Sequence, residues 1–408
     1  MVKKGYKQTE VGVIPEKWKD KKLGDVGKVC MCKRIFANQT SNTGEVPFFK
    51  IGTFGKEADA YISKGLYEDY KQRFSYPQKG DVLISAAGTL GRTIVFEGKD
   101  AYFQDSNIVW LDTDKELLCN EYLYHYYKVI KWGASEGSTI ARLYNGIICN
   151  THIALPDVEE QKQIATVLSE IDELISLTEK QISKKKAIKQ GAMQELLTGK
   201  RRLPGFSGEW ETRTLHEISN EMVDGPFGSN LKTEHYTTER QVRIIQLSNI
   251  GEAGWNNANV KYTTFSHAAE LQRCIVQPGS ILIAKMMPAG RAIICPDNEK
   301  SYILGSDVVK AVPNSSVDSR YLVYATKSRF YLDQIADDTQ GSTRARTSVS
   351  KLRKTAILFP EKDEQIAIAD ILSEMDMEIA ALEGKIAKYR QIKQGMMQQL
   401  LTGKIRLV

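Results

Sequence analysis

The sequence has little of what several common protein classes require. Its 408 residues contain six cysteines without a C-x-x-C pair, and its five histidines lack the spacing of metal ligands. Neither a disulfide framework nor a zinc site is therefore indicated. No apolar run approaches the roughly 20 residues of a membrane span, and the polar N-terminus lacks the apolar segment of a secretory signal. We expect reduced thiols, no bound metal and a cytoplasmic location.

Catalytic motifs are also missing. Residues 133–137 match G-x-S-x-G, but they follow a predicted helix, whereas a nucleophile elbow follows a strand. Residues 198–201 lack the earlier glycine and the Ser or Thr of a phosphate-binding loop. Because the sequence has no Pro-Pro, it also lacks the Asn/Asp-Pro-Pro-Tyr/Phe tetrapeptide of amino-methyltransferases. We predict that the chain carries no catalytic residue and is not an enzyme.

The composition is that of a globular protein. Hydrophobic residues make up 42% and charged residues 26%, both ordinary values, and the length favours two to three domains. The net charge of +6 weakly favours a polyanionic partner, but a soluble protein without such a partner can have the same charge.

The dominant feature is an internal repeat, which decides the architecture before any other pattern. Residues 156–203 resemble residues 360–407: Pro156 corresponds to Pro360 and Gly199 to Gly403, both at an offset of 204 positions. Further landmarks match at offsets that rise from 192 to 204 along the chain, as two copies separated by a few loop insertions require. These pairs are Trp18 and Trp210, Val46 and Val242, Arg92 and Arg291, Ser106 and Ser306, and Arg142 and Arg346.

The repeated runs have the pattern of long helices. Acidic residues follow each proline and a glycine ends each run, which are helix start and stop signals. About 40 residues give a rod on the order of 60 Å. Apolar residues spaced alternately by four and three positions form a narrow coiled-coil seam. The seam comprises Ile164, Leu168, Ile171, Ile175 and Ile182 in the first run and Ile368, Leu372, Met375, Ile379, Leu382, Ile386 and Tyr389 in the second.

The predicted fold class is α+β. Short buried strands are indicated at residues 46–51, 81–85 and 108–111, and a helix at 121–132. We expect two similar globular domains joined by two long helices that pack as an antiparallel coiled coil with pseudo-two-fold symmetry. The predicted divisions are 1–155 (arm and first domain), 156–203 (central helix), 204–359 (second domain) and 360–408 (C-terminal helix). Two unrelated helices that each cap their own domain are the alternative.

The order of these motifs resembles the specificity (S) subunit of Type I restriction-modification systems. The resemblance rests on the repeated Gly-Ser-Thr-x-x-Arg pattern, the Glu-Gln after Pro156 and Pro360, and the helix ending Leu-Leu-Thr-Gly-Lys. The opening run at residues 6–18 and the segment 224–231 are also typical of that family. Each motif is weak alone, but their order, repeated twice over the whole chain, is specific.

The resemblance implies a non-catalytic subunit with two target recognition domains, each reading half of a split, asymmetric DNA target. It also implies two modification subunits, which methylate adenine with S-adenosylmethionine, and restriction subunits, which use ATP and Mg. No cofactor is expected on this chain. A rigid rod suits such a role because two half-sites about one helical turn apart need readers at a fixed spacing.

Residues that contact DNA are harder to predict. Affinity comes from cationic side chains on phosphates, and specificity from side chains that reach base edges. Glycine-rich turns after buried strands favour Arg92 and Arg291, and the Gly-Ser-Thr turns favour three further arginines. The candidates are Lys50, Arg92, Arg142, Gln246, Asn249, Arg291, Arg344 and Arg346. A coiled-coil scaffold that binds only protein, or a DNA-acting enzyme with an unrecognised site, remains the alternative function.

Overall fold

The computed structural model describes residues 2–133, 142–339 and 345–407. The chain forms two compact units. The first comprises Met1–Glu179 and Gly384–Val408, and the second comprises Lys180–Glu383. Both boundaries lie within long helices, so each unit contains the beginning of one long helix and the end of the other.

The first unit contains eleven strands and three short helices in the described residues. The strands are β1 (Tyr6–Thr9), β2 (Gly12–Pro15), β3 (Lys19–Lys22), β4 (Gly27–Met31), β5 (Val46–Phe49), β6 (Tyr61–Ile62), β7 (Val82–Ser85), β8 (Thr93–Val95), β9 (Tyr102–Phe103), β10 (Ile108–Thr113) and β11 (His152–Leu155). The helices are α1 (Lys64–Arg73), α2 (Asn120–Tyr127) and α3 (Asn145–Asn150). The long helix α4 (Val158–Leu196) follows and continues into the second unit.

The second unit contains thirteen strands and four short helices in the described residues. Its strands are β12 (Glu211–Thr214), β13 (Ser219–Asp224), β14 (Tyr236–Thr237), β15 (Val242–Ile245), β16 (Ile250–Gly251), β17 (Gly254–Trp255), β18 (Tyr262–Thr263), β19 (Ile275–Val276), β20 (Ile281–Ala284), β21 (Ala292–Ile294), β22 (Tyr302–Leu304), β23 (Val308–Pro313) and β24 (Ala356–Phe359). Its helices are α5 (Phe265–Glu270), α6 (Ser319–Ala325), α7 (Arg329–Thr339) and α8 (Val349–Lys354), followed by the long helix α9 (Lys362–Leu400).

The sheet topology confirms the duplication. A four-stranded sheet has the order β4-β10-β7-β8 in the first unit and β13-β23-β20-β21 in the second, antiparallel throughout. A second sheet contains one parallel pair in each unit, β5 with β9 and β15 with β22. A separate two-stranded ladder joins β3 to β11 and β12 to β24. The mixture of helices and largely antiparallel sheets confirms the α+β class.

Both faces of the central strands are buried, which explains their unbroken apolar runs. In β7, Val82 and Ile84 face the core that contains the beginning of α4, whereas Leu83 faces a separate core against the second sheet. In β20, Ile281 and Leu282 divide between two cores in the same way. Each central sheet therefore lies between a helical layer and a second sheet.

The predicted helix at residues 121–132 is shorter than expected. It begins at Asn120 and ends at Tyr127, where the backbone N–H of Lys128 turns back to the His125 carbonyl. The Lys128 ammonium lies over the Tyr124 ring, 3.7 Å from its centroid, and donates to Asp172 at 3.3 Å. Trp132, which the prediction includes in this helix, packs on the Tyr127 ring from outside any helix.

The two long helices each contain 39 residues, as the repeat predicts. Each is followed by a turn with a left-handed glycine, Gly199 at φ 68° and Gly403 at φ 66°. Beyond each glycine a backbone N–H turns back to the helix, from Arg201 to the Glu195 carbonyl and from Ile405 to the Gln399 carbonyl, both at 3.3 Å. These bonds satisfy carbonyls of the last turn, as a glycine C-cap does. The predicted helix stops are thus confirmed.

Seam residues lie on the inner faces of these helices. Ile164, Leu168, Ile171, Ile182, Ile368, Leu372, Ile379 and Ile386 are buried, and Ile175, Met375, Leu382 and Tyr389 are half-buried. Part of that burial is against the globular layers, since Ile164 and its counterpart Ile368 belong to the domain cores. Continuous pairing of the two seams over their full length stays a prediction.

Within each unit the two helix segments run antiparallel. In the first unit, Asp172 pairs with Lys393 and Glu179 with Arg390. Residues further along α4 therefore pair with residues earlier in α9. The second unit shows the same order, and its ion pairs are Lys185 with Glu378, Lys189 with Asp376, and Arg202 with Glu364.

The repeated Glu-Gln pair anchors each helix start. Glu160 is buried and accepts hydrogen bonds from the Trp18 indole at 3.0 Å and from both Nε and Nη2 of Arg406, which follows the end of α9. The neighbouring Gln161 side chain accepts from the Cys119 backbone N–H at 3.0 Å and donates to the Leu117 carbonyl at 2.8 Å.

The second unit reproduces this anchor. Glu364 accepts from the Trp210 indole at 2.9 Å and from Arg202, which follows the end of α4, at 2.7 and 2.8 Å. Gln365 accepts from the Asp318 backbone N–H at 2.9 Å. In each unit, therefore, the tail of one long helix is tied to the first turn of the other.

We expect Glu160→Gln to destabilise the first unit. The substitution removes a buried carboxylate and leaves the Arg406 guanidinium, whose side chain is 23% exposed, without its counter-charge. Removing one partner of a buried ion pair costs about 3–5 kcal/mol, and the partial exposure of Arg406 places the effect at about 3 kcal/mol. Chemical denaturation measures it.

The matched control is Glu173→Gln, an exposed position on the same helix, which should change the free energy of unfolding by less than about 0.5 kcal/mol. Equal effects of the two substitutions would contradict the anchoring role of Glu160.

Candidate nucleic-acid interface

Each unit has a polar cleft beside its second sheet. The first cleft has a volume of about 440 Å³ and is lined by Arg34, Ile35, Phe36, Ala37, Thr40, Phe48, Lys50, Gln104, Asp105, Ser106, Asn107 and Arg142. The second cleft has a volume of about 390 Å³ and is lined by Leu231, Tyr236, Ile244, Gln246, Leu247, Ser248, Asn259, Lys261, Gly305, Ser306 and Asp307.

The two clefts occupy equivalent positions in the repeat. Lys50 and Gln246 both follow the strand that pairs in parallel with its neighbour, β5 and β15 respectively. The loop before β10 supplies Ser106 and Asn107 to the first cleft, and the loop before β23 supplies Ser306 and Asp307 to the second. The backbone scaffold is therefore shared, whereas the polar groups that it displays differ.

Arg142 and Arg346 hold these loops in place. Arg142 Nη2 donates to the Ser106 carbonyl at 3.2 Å, to the Ser106 hydroxyl at 2.8 Å and to the Asn107 side-chain oxygen at 3.3 Å. Arg346 Nη2 lies 2.7 Å from the Asp307 carboxylate. The backbone of each arginine also pairs with the turn after the central strand through a single antiparallel β-bridge. Arg142 pairs in this way with Ala87, and Arg346 with Met286.

The other cleft candidates differ in accessibility. The Lys50 side chain is 42% exposed and its ammonium lies 2.9 Å from the Asp59 carboxylate, while Gln246 is half-buried at the wall of the second cleft. Asn249 is fully buried. Its amide donates to the carbonyls of Asn256 and Ala258 at 2.9 and 2.8 Å, and its oxygen accepts from the Gln246 backbone N–H. Asn249 fixes the turn after β15.

Arg92 and Arg291 are equivalent to one another but line neither cleft. Arg92 Nη2 lies 3.4 Å from the Ile51 carbonyl, and Arg291 Nη1 lies 3.5 Å from the Ile250 carbonyl. Both reach back from the turn after the central strand to the segment that follows the second-sheet strand, which in the second unit is the start of β16. The remaining candidate, Arg344, lies outside the described residues.

Several cleft residues were not among the sequence candidates. Arg34 pairs with Asp105 at 2.9 Å in the first cleft, and Gln104 accepts a hydrogen bond from the Ile51 backbone N–H at 2.9 Å. Asn259 and Lys261 line the second cleft. None of these residues belongs to the pairs matched between the two copies, so the repeat does not reveal them.

Electrostatically, the second cleft is backed by a buried cation. The Lys285 ammonium lies 4.0 Å from the Asp224 carboxylate, and burial lowers the pKa of the Lys285 ammonium against the opposing effect of Asp224. The Lys285 backbone N–H donates to the Asp307 carbonyl at 2.9 Å, which ties the turn after β20 to the cleft wall.

Both clefts are lined mainly by hydrogen-bond donors and acceptors, among them Lys50 and Asn107 in the first and Gln246 and Asp307 in the second. Across the described residues, no group of three or more His, Cys, Asp and Glu side chains is placed to hold a metal ion. The described helices also include none that is long and apolar enough to cross a membrane.

Comparisons with solved structures show the fold. The chain matches the crystal structure of a Type-I restriction-modification S subunit from M. genitalium with a TM-score of 0.61 and 15% identity, covering 94% of this chain and 96% of that one. A chain from a structural study of complex assembly in the type I R-M system matches with a TM-score of 0.59 and 16% identity, covering 96% and 99%.

Sequence relatives agree. A putative type I restriction enzyme specificity subunit of Haemophilus influenzae is 57% identical over 158 residues, which is 38% of this chain and only 41% of that protein. The putative MjaX specificity subunit of Methanocaldococcus jannaschii is 25% identical over 98% of this chain and 97% of its own length.

The family model described as "Type I restriction modification DNA specificity domain" matches the chain twice, at residues 15–186 and 208–389. Each match covers one globular body and most of the long helix that follows it. Together they span most of the sequence, so the chain belongs to the Type I restriction-modification DNA specificity family.

Proposed function

We propose that the chain supplies DNA sequence specificity to a Type I restriction-modification complex, with each cleft reading one half of a split target. The observation that carries this proposal is the pair of equivalent clefts with different linings. Lys50 in the first cleft stands where Gln246 stands in the second, and Asn107 stands where Asp307 stands. Different side chains on one scaffold suit an asymmetric target.

The lining chemistry supports the proposal. Lysine and arginine bind phosphates or the acceptor edge of guanine, glutamine and asparagine pair with adenine, and a carboxylate accepts from the cytosine amine. Lys50, Asn107, Gln246 and Asp307 supply these groups in the clefts. Arg142 and Arg346 then act as positioning residues that hold the reading loops.

The proposed partners are two modification subunits, which use S-adenosylmethionine, and restriction subunits, which use ATP and Mg, in the cytoplasm. Exposed apolar residues on the long helices support a protein contact there. In the second unit, Ile188 and Met377 adjoin the Lys189–Asp376 ion pair and are 52% and 66% exposed. In the first unit, Ile392 adjoins the Lys393–Asp172 pair and is 40% exposed.

We predict that Lys50→Gln alters recognition of one half-site only. Glutamine is the residue at the equivalent position of the second copy, so the fold tolerates it. If Lys50 binds a phosphate, affinity falls and the slope of log K against log salt drops by about one. If it reads a base, the motif changes at one position of one half. Duplex titration across salt and methylation mapping distinguish the two.

The control is Lys99→Gln, a lysine that is 84% exposed beside Glu97 and outside the cleft. If Lys50→Gln left the affinity, the salt slope and the motif unchanged, the assignment of the first cleft to the DNA interface would be wrong. DNA binding that is absent, or insensitive to salt, in the wild-type complex would instead favour a scaffold that binds only protein.

We predict that the double variant Ile188→Asp and Ile392→Asp loses the modification subunits. Both residues are exposed, so the charge disturbs docking rather than folding. Co-purification with the modification subunit should fall at least about ten-fold while the melting temperature stays within about 2 °C, because exposed substitutions change stability little.

The matched control is Gln190→Asp with Gln394→Asp, two exposed positions at the same repeat offset on the same helices. Intact assembly of the isoleucine variant, or equal loss in both variants, would contradict the proposed docking surface.

A further inference from the structure

The turn after the central strand has the same length and the same closing contact in both units, although the second contains a cis Met287-Pro288 peptide bond. It connects β7 to β8 in the first unit and β20 to β21 in the second, with no insertion between the copies. Gly91 and Gly290 have φ angles of 76° and 80°, and each donates its backbone N–H to the end of the preceding strand, to Ser85 at 3.0 Å and Ala284 at 2.8 Å.

One position of this turn differs in a way that the fold does not explain. The first unit has Gly88 at φ 67°, whereas the second has Met287 at φ 60°. The left-handed conformation is strained for a residue with a side chain and free of that cost for glycine. Burial does not offset the strain, since Met287 is 78% exposed. The second unit therefore displays a methionine in solvent at a cost to its own stability.

Met287 directly follows two residues that are tied to the wall of the second cleft. The backbone of its neighbour Met286 forms the β-bridge with Arg346, and the Arg346 side chain in turn forms an ion pair with Asp307 of the cleft wall. One residue earlier, the Lys285 carbonyl accepts the Thr347 backbone N–H at 2.8 Å. These contacts anchor the backbone immediately before Met287. Its exposed side chain therefore extends from a segment that is tied to the cleft wall through Arg346 and Asp307.

We infer that Met287 is a specificity residue that contacts a thymine methyl group in the half-site read by the second unit. The thymine methyl is the apolar group on the base edges of the major groove, and a thioether side chain is polarizable and adapts its shape. The inference rests on the proposed function and adds a base preference that the first unit, with Gly88, lacks at the equivalent position.

The test is Met287→Gly, which copies the first unit, compared with Met287→Leu, which keeps an apolar side chain. In cells that express the chain with its modification subunit, methylation mapping should show one thymine relaxed to any base for Met287→Gly and retained for Met287→Leu. The other half-site should not change, and the melting temperature of Met287→Gly should not fall because the backbone strain is relieved.

Deoxyuridine in place of that thymine provides a direct measure, because it removes only the methyl group. The wild-type complex should bind the uracil duplex about four-fold more weakly, as expected for loss of one buried methyl, and Met287→Gly should bind both duplexes equally. An unchanged motif for Met287→Gly, or uracil sensitivity that persists in it, would overturn the inference. The Lys50→Gln result tests the proposed function independently.

Discussion

The structure depends on a carboxylate that is buried at the start of each long helix. Glu160 and Glu364 are buried. Burying a carboxylate is costly unless hydrogen-bond donors surround it. Those donors are a tryptophan from the preceding globular arm and an arginine that follows the other long helix. Each anchor therefore joins three separate parts of the sequence at one charge.

This arrangement explains why the repeated segments stay alike while the bodies diverge. The motif Glu-Gln, the Thr-Gly-Lys stop and the following arginine form one linked set. At Gly403, an added Cβ would lie 2.4 Å from the Pro15 ring, so the tail also packs tightly on the arm. The cleft loops are not tied to other parts of the chain in this way, since Lys50 and Gln246 occupy equivalent positions on the same scaffold. A constant frame with variable clefts is what reading different half-sites needs.

Periodic and local features were predictable from the sequence. The helix stops at Gly199 and Gly403 follow from glycine's access to positive φ, and the inner helix faces follow from apolar spacing. The predicted helix beyond Tyr127 was wrong because an apolar residue such as Trp132 signals burial, not the element that buries it. The pairing of Arg406 with Glu160 joins residues far apart in sequence, and no local pattern encodes such a partner.

The roles of the site residues were harder to predict, because they depend on contacts that the sequence pattern does not show. Asn249 looked like a polar group at a strand end, yet its amide is used within its own turn. Arg142 and Arg346 were identified from the repeat, but their contacts with the loops before β10 and β23 depend on the folded sheets. The φ angle of Met287 leaves no trace in composition or periodicity, and only its alignment with Gly88 makes it unusual.

The most direct test of two independent readers is to replace residues 27–155 with the equivalent region of another specificity subunit. This exchange leaves Trp18, Glu160 and the helix tails in place, so both anchors can form. Methylation mapping of the host genome should show one half of the target replaced and the other half retained. A change in both halves would contradict the account.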